Sequence, residues 1–174
     1  MSERLKALTC CFIGSKEIPD GEETKILSRI DNRLYPLLEF GVCYMGVGGN
    51  LGFDHIITNH LLKLRERDFK RIKIIEVLPY PGYRDKWTDA DKLSMECIDK
   101  QFDKITYIAK EKGQGAYLRR NRHLIDDSRY CFSYCTRPEG ATAIAVKYAL
   151  EHDTKVYNAS SFDVHSLLKI SRLQ

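Results

Sequence analysis

A glycine-rich segment, GVGGNLGFD (Gly46–Asp54), is the part of this chain best suited to hold a ligand with its backbone. It follows an apolar run from Val42 to Met45 and precedes a helical pattern that starts near His55. Glycine lets the backbone turn sharply and approach a ligand closely, and the first N–H groups of a helix attract anions. We therefore predict a phosphate-binding turn whose ligand-binding residues are Gly48, Gly49, Asn50, Gly52, Phe53 and Asp54.

Two further small-residue segments follow apolar runs and are predicted to share this site. The first is GSK, with Gly14, Ser15 and Lys16, and the second is RPEGAT, with Glu139, Gly140, Ala141 and Thr142. The glycine turn is not the GxGxxG dinucleotide motif, because that spacing from Gly46 would require glycine at Leu51. The alternative interpretation is that these turns have only a structural role. For Asp54, the alternative to ligand binding is that it caps the following helix.

A cluster of arginines lies in QGAYLRRNRHLIDDS, which begins at Gln114 and has a helical pattern. We predict that Arg120, Asn121 and Arg122 contact the ligand, because guanidinium groups bind phosphate through paired hydrogen bonds. Arg119 and Arg122 share one face of the helix, and Arg120 lies on a different face. At least one of these arginines is therefore expected to be an ordinary surface residue.

The segment PYPGYRDKW adds aromatic residues to the same predicted edge. We predict a ligand-binding loop that contains Pro79, Tyr80, Tyr83 and Trp87, because an aromatic loop at a pocket rim can stack on a nucleobase. The alternative is a packed cover over the sheet. Glu139 is the only carboxylate in its turn and is the candidate nucleophile or base, with an inert surface glutamate as the alternative.

The composition is that of one globular domain covering residues 1–174. The net charge of +4 suits an anionic ligand but is small for a nucleic-acid-binding protein. No apolar run is long enough to span a bilayer, and the N-terminus resembles a first strand more than a signal peptide, so we expect a cytoplasmic protein without membrane contact. Cysteine and histidine spacings indicate no metal site, and no cofactor is expected.

Strand-length apolar runs alternate with helical patterns along the chain. Among them we predict a strand at Lys155–Asn158 and helices near Asp54–Arg67 and Asp89–Phe102. This alternation predicts an α/β fold, a three-layer sandwich with a mostly parallel sheet and helices on both faces. Ligands of such sheets bind outside the carboxyl ends of the strands, where all the segments above should meet. The tail, residues 160–174, contains an apolar cluster and is expected to dock on the domain or to mediate assembly into a dimer or higher homo-oligomer.

Taken together, these segments resemble the SLOG superfamily, the Rossmann-like group that includes the DNA-processing proteins Smf/DprA and the lonely-guy phosphoribohydrolases. The similarity runs from Cys10 to about Ala159 and is strongest to the YpsA-like branch, through CCFIGS, GVCYMGVGGNLGFD, VLPYPGYRDKW, RRNRHLIDDS and EGATAIAVKYA. The resemblance implies a Rossmann-like sheet, frequent homo-oligomers and binding of nucleotides or molecules derived from them.

The resemblance is incomplete at the catalytic motif of the phosphoribohydrolases. Arg120 aligns with their catalytic arginine, but Ala145 stands where their catalytic glutamate belongs and Glu139 stands at the first glycine of that motif. The resemblance thus favours a sensor or sequestering protein for a nucleotide-derived signal, such as an ADP-ribose or cyclic nucleotide species. An N-glycosidic hydrolase or transferase using Glu139 or Asp54 is the alternative, and DNA binding is the second alternative.

Overall fold

The computed structural model describes residues 2–170. Met1 and the last four residues of the predicted tail, 171–174, lie outside the described residues, as does the side chain of Ile170. The strands are β1 (Thr9–Gly14), β2 (Tyr44–Val47), β3 (Lys73–Leu78), β4 (Lys104–Tyr107), β5 (Tyr130–Tyr134) and β6 (Lys155–Asn158). The helices are α1 (Glu3–Ala7), α2 (Glu23–Glu39), α3 (Phe53–Arg67), α4 (Asp89–Asp99), α5 (Ala116–Asp126), α6 (Gly140–Glu151) and α7 (Leu167–Ile170), with a 3₁₀ turn at Val164–Ser166.

The six strands form one sheet in the order β4-β3-β2-β1-β5-β6, and every neighbouring pair is parallel. This confirms the predicted Rossmann-like α/β sandwich. After β1 the chain builds outward through β2, β3 and β4, and then crosses to the other side of β1 to add β5 and β6. The strand order therefore reverses between β1 and β5, and the crevice at such a switch point is where open parallel sheets bind ligands.

The two faces of the sheet are covered by different helices because side chains alternate along each strand. On one face, Cys10 and Phe12 of β1 pack with apolar stripes of α2 and α3, such as Ile30 and Leu61. On the other face, Cys11 and Ile13 pack with residues of α5 and α6, including Leu124, Ile125, Ala145 and Ala149. Helices on both faces thus hold the carboxyl ends of β1 and β5 in a fixed position.

Two sequence predictions of helices need correction. The predicted helix from Asp89 to Phe102 ends at Asp99, where the chain turns and the Gln101 N–H donates to the Ile98 carbonyl at 2.8 Å. Helix α1 was not expected; Ser2 caps it, and none of its residues is buried, so it has no apolar periodicity to detect. Within the described range, no helix combines the length and the apolar character needed to cross a membrane.

Part of the C-terminal tail packs on the domain itself. Val164 and Leu167 are buried, and they form a small core with Ala143 and Val146 of α6 and with Cys135. These two apolar residues of the predicted cluster are therefore covered within the chain. A role of the tail in assembly stays a prediction.

Candidate functional site

A cavity of about 340 Å³ opens at the carboxyl edge of the sheet, at the switch point between β1 and β5. It brings together the GSK segment, the glycine turn, α5 and the start of α6, which are far apart in sequence. Its lining includes the predicted residues Gly14, Ser15, Lys16, Gly48, Asn50, Asp54, Arg120, Asn121, Ala141 and Thr142, together with Glu17, Tyr117 and Arg137. The common edge predicted for these segments is therefore present.

Arg120 is the buried cation of this cavity. Its side chain is only 6% exposed, and one of its terminal nitrogens donates to the Gly48 carbonyl. Its Nε is buried and has no hydrogen-bond partner among residues 2–170. Since an unpaired buried donor costs about 1–3 kcal/mol, a guanidinium in this state is suited to bind an anion.

Asp54 lies beside Arg120 in the first turn of α3. Its Oδ2 accepts the Asn50 N–H at 3.1 Å, and a Cβ added at Gly48 would lie 2.7 Å from the same oxygen. Burial raises the pKa of Asp54, while Arg120 and the Asn50 N–H oppose this rise. Gly52, and not Asp54, is the N-cap of α3, so the carboxylate holds the glycine turn instead of capping the helix.

Two helices begin at the cavity without a side-chain cap. The N-cap of α3 is Gly52 and that of α6 is Glu139, and neither makes a capping hydrogen bond from its side chain. The first N–H groups of a helix lack partners within the helix and carry partial positive charge. Together with Arg120, Lys16 and Arg137, these helix ends favour an anionic ligand.

A second cavity, of about 610 Å³, adjoins the first and shares Lys16, Asn50 and Tyr117 with it. Its aromatic wall combines Tyr80, Tyr83, Trp87 and Tyr117. The rings pack edge to face, with centroid distances of 5.7 Å for Tyr83–Tyr117 and 5.8 Å for Tyr83–Trp87. Burial raises the pKa of Tyr83 to about 12, so this phenol stays neutral.

An ion network beneath the glycine turn joins this turn to the aromatic loop. This network was not predicted from the sequence. Arg84 donates to the Gly49 carbonyl at 3.0 Å, to both oxygens of Asp99 at 2.8 and 2.9 Å, and to Glu76. Glu76 is fully buried on β3, and burial raises its pKa to about 7 against the lowering effect of Arg84. A signal was available, because Glu76 is the lone charge within the apolar run IIEVL, from Ile74 to Leu78.

Several predicted ligand-binding residues do not line either cavity. Glu139 is exposed, Arg122 lies over the Tyr148 ring at 5.2 Å, and Pro79 is buried with its carbonyl accepting the Ala109 N–H. Phe53 is buried against Tyr134, and Gly52 and Gly140 occupy positive-φ positions at helix starts. Their assignment to ligand binding stays a prediction. Ala145, which aligns with the catalytic glutamate, is 1% exposed within the core.

Gly49 has surroundings that differ from those inferred from the sequence. Its φ is +63°, and a Cβ there would overlap Glu76 and lie 2.7 Å from both Arg84 and Leu78. The residue faces the ion network and not the cavity. A side chain at Gly49 would therefore disturb the turn, and the assignment of Gly49 to ligand binding stays a prediction.

Gly49→Ala is therefore expected to lower the free energy of unfolding by more than 1 kcal/mol, through a strained φ and the overlap with Glu76. Gly113→Ala is the matched control, since no atom lies within 4 Å of a Cβ at Gly113. Thermal or urea unfolding of both variants measures the difference. Equal stability of the two would contradict the packing described for the turn.

The fold and the crevice define a class: a Rossmann-like α/β domain with a polar, arginine-lined cavity at its switch point. A family model, the YspA SLOG family, matches residues 18–167, and the chain belongs to this family. The expected superfamily is thereby confirmed. No curated protein matches the chain.

Two solved structures of DNA processing protein A share the fold. The protein from Helicobacter pylori, described for its single-stranded DNA binding mode, has a TM-score of 0.63 and 16% identity, over 99% of this chain and 78% of its own. The protein from Streptococcus pneumoniae has a TM-score of 0.64 and 15% identity, over 95% of this chain and 58% of its own. This chain thus spans less than two thirds of the pneumococcal protein. At such identities the similarity establishes the fold.

Proposed function

We propose that this chain binds a nucleotide or a nucleotide-derived signalling molecule, such as an ADP-ribose or cyclic nucleotide species, and acts as a sensor or sequestering protein. The observation that carries the proposal is Arg120, a buried guanidinium that lines the cavity with its Nε unpaired among the described residues. A phosphate oxygen in the cavity would receive a charge-assisted hydrogen bond from this guanidinium.

The charges around the cavity support an anionic ligand. Three basic side chains line it, Lys16, Arg120 and Arg137, against two acidic ones, Glu17 and Asp54. Asp54 already accepts a backbone N–H, which reduces its repulsion of an anion. The cavity size of about 340 Å³ lies within the range of small-molecule sites.

Two measurements test this proposal. The first is mass spectrometry of small molecules released when the purified protein is denatured. The second is thermal unfolding with a panel of nucleotides, dinucleotides and cyclic derivatives, where a ligand at about 100 times its dissociation constant adds about 2.7 kcal/mol. If the protein releases no nucleotide and no compound raises the unfolding midpoint, the proposal fails.

An N-glycosidic hydrolase is the second candidate, because Asp54 places a carboxylate in the cavity next to Arg120. Chromatography of a bound nucleotide after prolonged incubation separates the two functions, since a hydrolase releases free base and a binding protein returns the ligand intact. If the wild type releases base and Asp54→Asn binds without releasing it, the protein is a hydrolase. Glu139→Gln tests the other predicted carboxylate in the same way.

Single-stranded DNA is the third candidate, favoured by the lysines and aromatic rings of the second cavity and by the Helicobacter pylori structure. Aromatic platforms within basic grooves are the usual means of binding single strands. DNA binding of this kind weakens steeply with salt, because each phosphate contact releases counterions. Fluorescence anisotropy of a labelled oligonucleotide at several salt concentrations tests it.

We also propose that the protein is a homo-oligomer, most simply a dimer, as the family resemblance implies. A closed dimer buries the same surface of both copies. Light scattering at micromolar concentration is expected to give a mass of at least twice the 20.2 kDa of one chain. A mass of one chain across this concentration range would contradict the proposal.

A further inference from the structure

The two adjoining cavities differ in chemistry, and together they describe a ligand with two parts. The first cavity is polar and contains the buried Arg120. The second is larger, is walled by four aromatic rings and is lined by four lysines, Lys16, Lys86, Lys110 and Lys112, against two carboxylates, Asp85 and Glu111. The first suits a phosphorylated group, and the second suits a planar ring that is attached to a further negative charge.

Tyr117 stands at the boundary of the two cavities and lines both. Tyr117 precedes Arg120 by three residues on α5. Residues at this spacing are neighbours on the surface of a helix, so the two side chains lie on the same side of α5. The Tyr117 ring is 46% exposed, although Tyr80 and Tyr83 contact it from the side of the second cavity at 6.3 and 5.7 Å between centroids. Helix α5 thus presents a buried cation to one cavity and a partly exposed ring to the other.

The size of the first cavity argues against a ligand that ends at a single phosphate there. A volume of about 340 Å³ is at the lower end of what whole small molecules occupy, so it has room for a sugar as well as a phosphate. A mononucleotide that fills it would leave the aromatic cavity empty. A molecule with a second ring-bearing unit beyond the phosphates would use both.

We propose that the ligand is of the dinucleotide class, with two ring-bearing units joined through phosphates, and that Tyr117 is the residue that selects it over a mononucleotide. One unit and its phosphate lie in the cavity of Arg120, and a second phosphate lies beside Lys16, which lines both cavities. The other unit stacks on Tyr117 in the aromatic cavity. This inference rests on the proposed function, because it requires a phosphate at Arg120.

Isothermal titration of the full chain with AMP and with ADP-ribose tests the inference. The wild type is expected to bind ADP-ribose at least about tenfold more tightly than AMP, the order of effect that base stacking on an aromatic residue contributes. Tyr117→Ala should reduce ADP-ribose affinity to near that of AMP and lower AMP affinity by a clearly smaller factor, because the ring only borders the cavity of Arg120. Tyr117→Phe should keep the preference, since it retains the ring and loses only the hydroxyl that lies 3.4 Å from the Tyr80 hydroxyl.

Phe40→Ala is the matched control, because Phe40 is an 86% exposed aromatic at the end of α2, before the amino end of β2. It should change neither affinity, and thermal unfolding of all variants checks that each is folded. Equal wild-type affinities for AMP and ADP-ribose, or an equal loss of both in Tyr117→Ala, would overturn the inference and leave nucleotide binding intact. Binding of thymidine oligonucleotides that strengthens from two to eight nucleotides would also overturn it. If neither AMP, ADP-ribose nor any compound of the nucleotide panel binds, the proposed function itself fails.

Discussion

Arg120→Ala is expected to weaken binding of the best nucleotide ligand by about 1.5–3 kcal/mol, on the order of ten- to a hundredfold in affinity. The reason is that Arg120 supplies the only buried guanidinium among the described residues that line the cavity. Titration calorimetry on the purified variant measures the change.

Arg119, on the same helix, is the control for this substitution. It is exposed and donates to the Gln114 carbonyl. Arg119→Ala should bind within about twofold of wild type, since Arg119 does not line the cavity. Because Arg120 also holds the Gly48 carbonyl, the unfolding midpoint without ligand must be compared. Wild-type affinity in a folded Arg120→Ala variant would remove the main support for the proposed function.

The buried Glu76 is expected to make the protein less stable as the pH rises from about 4.5 to about 7. Its pKa is about 7 in the folded protein, against 4.5 as its ordinary value. The folded state therefore holds this proton more tightly than the unfolded state. The stabilisation is fully present below pH 4.5 and is lost as the pH rises through 7, a change of about 3 kcal/mol.

Glu76→Gln isolates this effect, because the amide keeps the shape of the side chain and does not titrate. Urea unfolding of both proteins from pH 4.5 to 8 gives the measurement. The difference in the free energy of unfolding, wild type minus variant, should fall by about 3 kcal/mol over this range. A difference that stays constant with pH would show that Glu76 keeps an ordinary carboxylate pKa, and the account of its burial would be wrong.

The sequence predicted the layered architecture well, because local patterns determine it. The run at Lys155–Asn158 was placed correctly as a strand, and the predicted helix start at Asp54 is one residue from the observed start at Phe53. The periodicity of apolar residues and the positions of glycines indicate helices, strands and turns within short segments of sequence. Helix α1 lacks both signals, and so it was missed.

The candidate site was predicted less completely, because side-chain direction depends on contacts between distant segments. The strand-to-helix turns at Gly14, Gly48 and Ala141 were correctly predicted to lie at one edge of the sheet. The direction that Gly49 faces was not predicted, since it depends on Glu76 and on Arg84 from another loop. Helical geometry did separate Arg120 from Arg119 and Arg122, and the inward residue is the one the family resemblance had aligned with a catalytic arginine.

The burial of Ala145 has an evolutionary consequence. The position aligned with the catalytic glutamate of the phosphoribohydrolases packs here with Cys11, Ile13, Cys131 and Ala149. A glutamate at this position would add a charge and four more heavy atoms to a closed core, and a buried unpaired carboxylate is strongly unfavourable. A single substitution would therefore damage the fold before it supplied any chemistry. Neighbouring core residues would have to shrink first, so packing alone keeps one substitution at this position from creating that catalytic motif.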